Sequence, residues 1–474
     1  MKSFALYSLL VAATAQAGLI PPTSNERIDW KYEQKRQILG TLTWLVGKGG
    51  KVADPAGAAP RRVEEKSTSA VPGVRRIKMR YGPYSVPNMN KTGISGEPGS
   101  LWNYPDTAIP KPCTECTIVS QRAGLEYPDG KNANIDTGMW LHHMVHLTIG
   151  PGRQDATCFG RTSLPHFDVG ATPANSERYF SSGNERTHVQ IDKLGAAGTK
   201  AGYHLKPADK MAFIVDLMNM NMEDKTVYLT MTYDIVEGPL PAGWKDIKVV
   251  WFDANQCGTS EVHPPQESGK FVISGGTWKP NFDGEILGVG GHVHDGGEVL
   301  KVLVGGQSNC DSVTKYGETP EYIFTGMGGM KMGAAHGVAT KHISSMTTCY
   351  YEENKIVRKL SPDQVWQIKG HYDYDKFEGN KDEKGKQESI MAIALMYVGV
   401  EPGTQLRGTA APAAGGSAAP ARPAKGAARP APKGAAAAPA AAPAAAPAAA
   451  PAAAPAAAPA SEHAGMADMG GMAA

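Results

Sequence analysis

The 474-residue chain has no apolar run beyond its first residues that reaches the roughly 18 positions a membrane-spanning helix needs. That excludes a transmembrane helix from the expected mature protein. Charge of one sign is also lacking: 48 Lys and Arg stand against 46 Asp and Glu, a formal net charge of +2. With no basic stripe interleaved with aromatics, nothing in the electrostatics points to nucleic acid or a membrane surface. No Gly-x-Ser-x-Gly element, phosphate loop or dinucleotide fingerprint occurs where a strand-to-helix turn would need one. Carboxylate pairs such as Glu352-Glu353, or Asp373 with Asp375, lie in polar stretches and read as solvated charge, giving glycoside hydrolysis no support. Long stretches of 3.6-residue periodicity are missing too, which argues against a helical fold.

What is present is a succession of short extended runs broken by Gly, Pro, Asn and Asp. Examples are Arg76 to Met79, Met139 to Ile149, Met211 to Met218 and Thr226 to Ile235. After Gly238-Pro239-Leu240-Pro241-Ala242-Gly243 they resume at Ile247 to Phe252, Lys270 to Ile273, Ile286 to Val289, Val299 to Val304, Gln364 to Lys369 and Ile390 to Val400. This pattern predicts an all-β chain of two β-sandwich domains, at 71–238 and 245–402. Residues 1–17 read as a secretory signal, with Lys2, an apolar run from Phe4 to Ala13 and the small-x-small end Ala15-Gln16-Ala17. Residues 18–70 are an extension and linker; its dibasic pairs, Lys35-Arg36 and Arg61-Arg62, read as surface charge or trimming sites. From 403 to 474 the composition collapses to Ala and Pro, which cannot bury a core and predicts a disordered stalk. The chain's last His and Met residues, His463, Met466, Met469 and Met472, offer soft donors that could capture copper(I), or are a coincidence of a Met-rich end.

Two histidine motifs carry the chemistry. In Gly290-Gly291-His292-Val293-His294-Asp295 the imidazoles are two residues apart, so on a strand they share a face and make a half-site for zinc or copper. The second is Trp140-Leu141-His142-His143-Met144-Val145-His146. On a regular strand His142, Met144 and His146 share a face and His143 opposes them, so His142 and His143 can join one metal only if the strand is bulged or ends there. Met391, on the late strand Ser389 to Tyr397, reads by itself as core.

Paired His-His-Met in a first β domain, His-x-His in a second and a late Met-bearing strand resemble the core of peptidylglycine α-hydroxylating monooxygenase and dopamine β-monooxygenase. The chain also resembles the stress-up-regulated nodulin proteins. The resemblance spans about 71–402 and implies two jelly-roll sandwiches, each with a copper, facing across an open cleft. It further implies ascorbate or another external reductant. By position, His142 and His143 would hold an electron-transfer copper, and His292, His294 and Met391 an oxygen-activating one. A thioether suits copper and has little use in a redox-inert zinc centre.

The chain departs from that pattern in two places. The strand expected to carry a third histidine, Phe213 to Met222, has none; it offers Met218, with Met220 and Met222 predicted on the same face. His146, His188 and His204 are the other donors available. The family's carboxylate clamp is replaced by Gly290, Ile393 and Leu395, so amidation of glycine-extended peptides is not expected. The substrate left open is a small apolar molecule, a phenolic or a wall component. His336 and His342 fall in a Gly- and Met-rich loop, and His371 or Asp295 is expected to hydrogen-bond a ligand histidine from outside.

Six cysteines suit an oxidising compartment. Cys113-Thr114-Glu115-Cys116 has knuckle spacing without a second pair, which favours a disulfide over zinc. Each domain holds an odd number, three and three, so either a bridge crosses between domains or two thiols stay free. Asn90-Lys91-Thr92 is a glycosylation acceptor on a secretory route. The leading expectation is a monomeric, secreted or wall-associated, two-copper monooxygenase-like protein. The alternatives are a non-catalytic copper-binding protein for uptake, buffering or wall association, and an adhesive scaffold that binds no metal.

Overall fold

The extended runs become seventeen strands of four or more residues, against a single four-residue helix, Tyr351–Asn354, and three turns of 3-10 helix among the described residues. The computed structural model describes residues 49–91, 98–158, 175–193, 199–255, 257, 260–324, 341–354, 356–381 and 385–407. In the first half lie β1 (Arg62–Glu65), β2 (Arg75–Val86), β3 (Ser100–Ile109), β4 (Cys116–Glu126) and β5 (Met139–Ile149). They are followed by β6 (Ser176–Gly183), β7 (Ala201–Leu205), β8 (Lys210–Asn219) and β9 (Lys225–Glu237). The second half holds β10 (Lys245–Asp253), β11 (Lys270–Ser274), β12 (Gly284–Val293) and β13 (Gly297–Val304). It closes with β14 (Gln307–Tyr316), β15 (Ile343–Met346), β16 (Trp366–Asp373) and β17 (Ile390–Val400).

One long sheet runs β2-β9-β4-β7-β10-β17-β12, with β1 beside β2. Its first half packs on the sheet β3-β8-β5-β6, as where Tyr81 of β2 meets Phe213 of β8 edge-on at 5.4 Å. Its second half packs on the sheet β11-β16-β13-β14-β15, burying Val289 and Met396 with Leu300, Trp366 and Ile368. The architecture is therefore all-β and layered as sandwiches. The segment 238–244 links β9 to β10, and the two halves of the sheet join through a short parallel pairing of Lys245 and Asp246 with Ala201 and Gly202.

β17 explains how the halves abut. Its residues are buried throughout, which is why the sequence reads as an unbroken apolar run there. Ile390, Ala392, Ala394, Met396 and Val398 enter the second core. Met391, Ile393, Leu395 and Tyr397, on the other face, enter the core of the first sandwich. The surface that β17 and β12 turn away from their own sandwich is thus a packed interface, and His292 lies on it, paired with Ile393.

Polar groups brace the same junction. Arg178 of β6 is bonded to Asp155 at 2.8 Å, stacks on Trp251 of β10 at 4.7 Å and lies 3.7 Å from Asp253. Burial alone would raise the Asp155 carboxyl, but Arg178 and backbone amides hold it down at about 2. The disulfide Cys158–Cys257 crosses between the halves, while Cys113–Cys116 and Cys310–Cys349 lie within them. The odd count of cysteines on each side resolves into one crossing bridge with no free thiol among the described residues. The Cys113–Cys116 pair is a disulfide and not half of a zinc knuckle.

One local expectation fails. The methionine stripe does not continue to Met222, because β8 ends at Asn219; Met220 turns to bond Gly138, and Met222 is 57% exposed. Residues 1–17, expected as signal, residues 408–474 of the expected stalk with His463, Met466, Met469 and Met472, and His336 lie outside the described residues, while Leu406, at the start of that stretch, is buried in the second core. Asn90 is exposed, as an acceptor asparagine has to be.

The crossing disulfide closes a separation of 99 residues. Replacing both cysteines, Cys158→Ala with Cys257→Ala, is expected to lower stability by roughly 2–5 kcal/mol. The urea midpoint of the variant against the parent chain measures this, and removal of the short-range bridge Cys113–Cys116, which closes only 3 residues, is the comparison.

Candidate metal centre

The adjacent histidines meet the condition that the sequence sets for them. Along β5, His143 pairs with Asp216 of β8 and Leu141 pairs with Leu217, so His142 is the extra residue of a β-bulge. Their rings are 5.1 Å apart between centroids. From the other sandwich, the His294 ring comes to 4.5 Å from that of His142 and stacks at 6.3 Å on that of His143. The donor nitrogens of His142, His143 and His294 all lie within 4.8 Å of one another. His292 completes the group, its ring 5.5 Å from that of His294.

Each of three rings is anchored through one nitrogen and left open at the other. His294 Nδ1 lies 3.0 Å from the Ser389 carbonyl, which only accepts, so Nδ1 carries the proton and Nε2 the lone pair. His143 Nε2 lies 2.7 Å from Asn103 Oδ1, leaving Nδ1 as the lone-pair nitrogen. Asn103 sits at a register shift between β3 and β8 with φ of 41°, a left-handed conformation that Asn tolerates better than most residues. His292 Nδ1 lies 3.2 Å from both carboxylate oxygens of Glu185, an arrangement that orients the ring and makes it more basic toward a ligand on Nε2. The remaining nitrogens, His143 Nδ1, His292 Nε2 and His294 Nε2, are buried without a hydrogen-bond partner among the described residues.

Burial keeps the His143 and His294 rings neutral. It drives the His143 pKa down to about 3, with Asp216 opposing and the neighbouring His142 and His292 adding to the fall. Burial and the same neighbours push His294 well below its ordinary value. Burial would raise the Glu185 carboxyl, but the facing His292 and the Gly183 amide hold it below its usual range. An unpartnered buried polar group costs about 1–3 kcal/mol, so three in one place form an expensive arrangement that a metal ion would relieve. Neutral imidazole lone pairs are the donors that zinc and copper take.

Backbone ties fix the approach. The Tyr372 hydroxyl donates to the Met391 carbonyl at 2.6 Å and accepts the His294 amide at 3.2 Å, linking β17 to the histidine segment. Met391 is fully buried, two residues before the Ile393 that pairs with His292, and so on the same face of the sheet as that histidine. Gly183, at the end of β6, makes room for the histidine pair. A Cβ there would stand 2.6 Å from His292 Cε1 and 2.9 Å from the His142 carbonyl.

Other candidate donors are placed elsewhere. His146 points into the first core, where the Tyr179 hydroxyl meets its Nδ1 at 2.9 Å and Phe213 packs on its ring; strand alternation sets it opposite His143, and the bulge takes it out of phase with His142. Met218 pairs with Trp140 and packs with Met220, Tyr322 and Phe324. His188 bonds Ser120 and His204 bonds Glu115. The outer-partner role expected of His371 or Asp295 falls to Glu185, Asn103 and Ser389; Asp295 instead bonds His342, whose ring lies 4.4 Å from that of Trp140. The two histidine motifs, expected on facing walls of an open cleft, are in contact. Sequence reasoning missed Glu185, Asn103, Tyr372 and Gly183, none of which lies in a motif; the only local signal is a glycine beside a charged residue in Ser181-Ser182-Gly183-Asn184-Glu185.

No family model matches the chain. It is 27% identical over 339 residues, 72% of its length and 74% of the relative's, to a Phoma sp. protein described as probable copper-dependent oxygenase M1. A Cochliobolus lunatus protein described as probable copper-dependent oxygenase clz3 is 27% identical over 276 residues, 58% of this chain and 77% of the relative. Among solved structures, PNGF-II aligns over 78% of this chain and 68% of its own with a TM-score of 0.30 and 8% identity, too distant to argue from.

Two outcomes are expected. Gly183→Ala forces the Cβ onto His292 and is expected to cost roughly 1–3 kcal/mol in urea unfolding. Gly290→Ala, where a Cβ meets only Thr348 Oγ1 at 3.6 Å, leaves the midpoint where it was. The second concerns pH. His143 and His294 have folded pKa values below those of the unfolded chain, so the metal-free protein is fully stabilised above about pH 6.5 and loses stability as the pH falls below it. Melting temperatures of metal-free protein between pH 8 and 4 measure this, and His143→Gln flattens the profile.

Proposed function

We propose that the chain is a copper-dependent oxygenase whose centre is shared between the sandwiches, held by His142, His143, His292 and His294 with the Met391 thioether as a soft neighbour. The observation that carries this reading is the convergence of buried imidazoles, among which His143 Nδ1, His292 Nε2 and His294 Nε2 have no hydrogen-bond partner among the described residues. That both relatives are described as probable copper-dependent oxygenases supports copper over zinc. Copper held there would supply the one-electron chemistry that dioxygen requires, with ascorbate or another external reductant as the electron source by the family resemblance. The chain's own contribution is positional. Glu185, Asn103 and Ser389 set the tautomers, Tyr372 locks the His294 and Met391 backbones together, and the two sandwiches keep bulk water from the donors.

The resemblance also offers a division into two ions, His142 with His143 and His292 with His294 and Met391. The contact between His142 and His294 at 4.5 Å favours one shared centre. A second reading, copper binding without catalysis, is favoured by how little open space lies against His142, His292 and His294. The three disulfides support an oxidising, secreted destination.

Elemental analysis of the purified chain is expected to give one copper, lost in His294→Ala; two ions would favour the divided arrangement, and none would sink the proposal. Reductant-dependent oxygen consumption abolished by His292→Ala separates the oxygenase from the copper carrier.

A further inference from the structure

Beside the histidine group lies a narrow, mostly apolar pocket. Its floor is one face of β17, Ile393, Leu395 and Tyr397, with Tyr350 at the side and His292 as the wall shared with the histidine group. The space exists because residue 290 is glycine. Gly290 stands opposite Leu395 on the same face as His292, and a side chain there would point into the pocket, meeting only Thr348 at 3.6 Å. The neighbouring Gly291 is different: a Cβ would strike Ser312 and Leu300 at 2.8 and 2.9 Å, so that glycine serves packing.

The polar inventory of the pocket narrows what fits. No Lys or Arg is among its lining residues. Its Glu185 is engaged with His292, Ser181 donates to the Met144 carbonyl and His188 bonds Ser120. Two hydroxyls are left without partners among the described residues: Thr187 Oγ1, and the hydroxyl of Tyr397, a residue only 2% exposed. A buried hydroxyl with no partner favours a ligand that supplies one. A carboxylate or phosphate would meet an apolar floor and the Glu185 carboxylate, with no Lys or Arg among the lining residues.

We propose that this pocket binds the substrate, that the substrate presents an uncharged apolar group carrying a hydroxyl or carbonyl oxygen, and that Gly290 and Tyr397 determine its specificity. The assignment of the pocket to a substrate rests on the oxygenase reading; the ligand chemistry rests on the pocket alone. Gly290 sets the volume available, and Tyr397 hydrogen-bonds the oxygen.

The test uses the full chain and two fluorescent probes of matched shape, 2-naphthol and 2-naphthoate, with copper content measured on the same samples. The expected result is that 2-naphthol binds at least tenfold more tightly than 2-naphthoate. Gly290→Phe should weaken 2-naphthol at least tenfold with circular dichroism and copper content unchanged. Tyr397→Phe should weaken 2-naphthol several-fold while leaving naphthalene unaffected, a split that a general loss of packing would not give. Equal binding of the two probes, or 2-naphthol affinity indifferent to Gly290→Phe and Gly290→Leu, overturns the proposal. Selective, Gly290-dependent binding in a protein that takes no copper keeps the pocket assignment of ligand chemistry and removes the oxygenase reading instead.

Discussion

The structure depends on one contact, that of the His142 and His294 rings, which come from different sandwiches and lie 152 residues apart in the chain. For it to form, an extra residue must be accommodated in β5, β6 must end in a glycine, and β12 must turn its histidine face away from its own core. Only the first is a departure from regular strand geometry, and all three meet at the same place. The large apolar interface on the outer face of β17 supplies the driving force that holds them there.

The polar groups around the rings do a second kind of work. Imidazole has two nitrogens, and a ring free to choose its tautomer would offer a lone pair in either direction. Here a carbonyl, an amide oxygen and a carboxylate each engage one nitrogen, so the other is committed before anything binds. The partners come from β3, from the residue before β17 and from the segment after β6, so the orientation of the donors reports on the packing of both halves.

Much of the fold was legible because strand alternation is a local property. Met139 to Ile149 and Ile390 to Val400 coincide with β5 and β17, since apolar β-branched runs bounded by turn residues have few other solutions. The His142–His143 pair was legible as a condition, a bulge or a strand end, but the bulge itself depends on the register of β8, which no local pattern encodes. His146 was misleading for the same reason: a one-residue insertion reverses which of its neighbours it accompanies. Met222 was placed on a strand face that ends three residues earlier, at Asn219. Glu185, Asn103 and Tyr372 were invisible because their partners are distant in sequence and their residue types are ordinary in loops and strands. The cysteines fall between: parity required a crossing bridge or free thiols, and only the docking of the halves selects Cys158 with Cys257.

The Cys158–Cys257 bridge has a consequence for biogenesis. Neither sandwich alone can present the His142, His143 and His294 nitrogens together, so during synthesis the donor set does not exist until the later half has emerged and docked. Oxidation of the bridge then makes that docking hard to undo, because the denatured chain stays tied across the two halves.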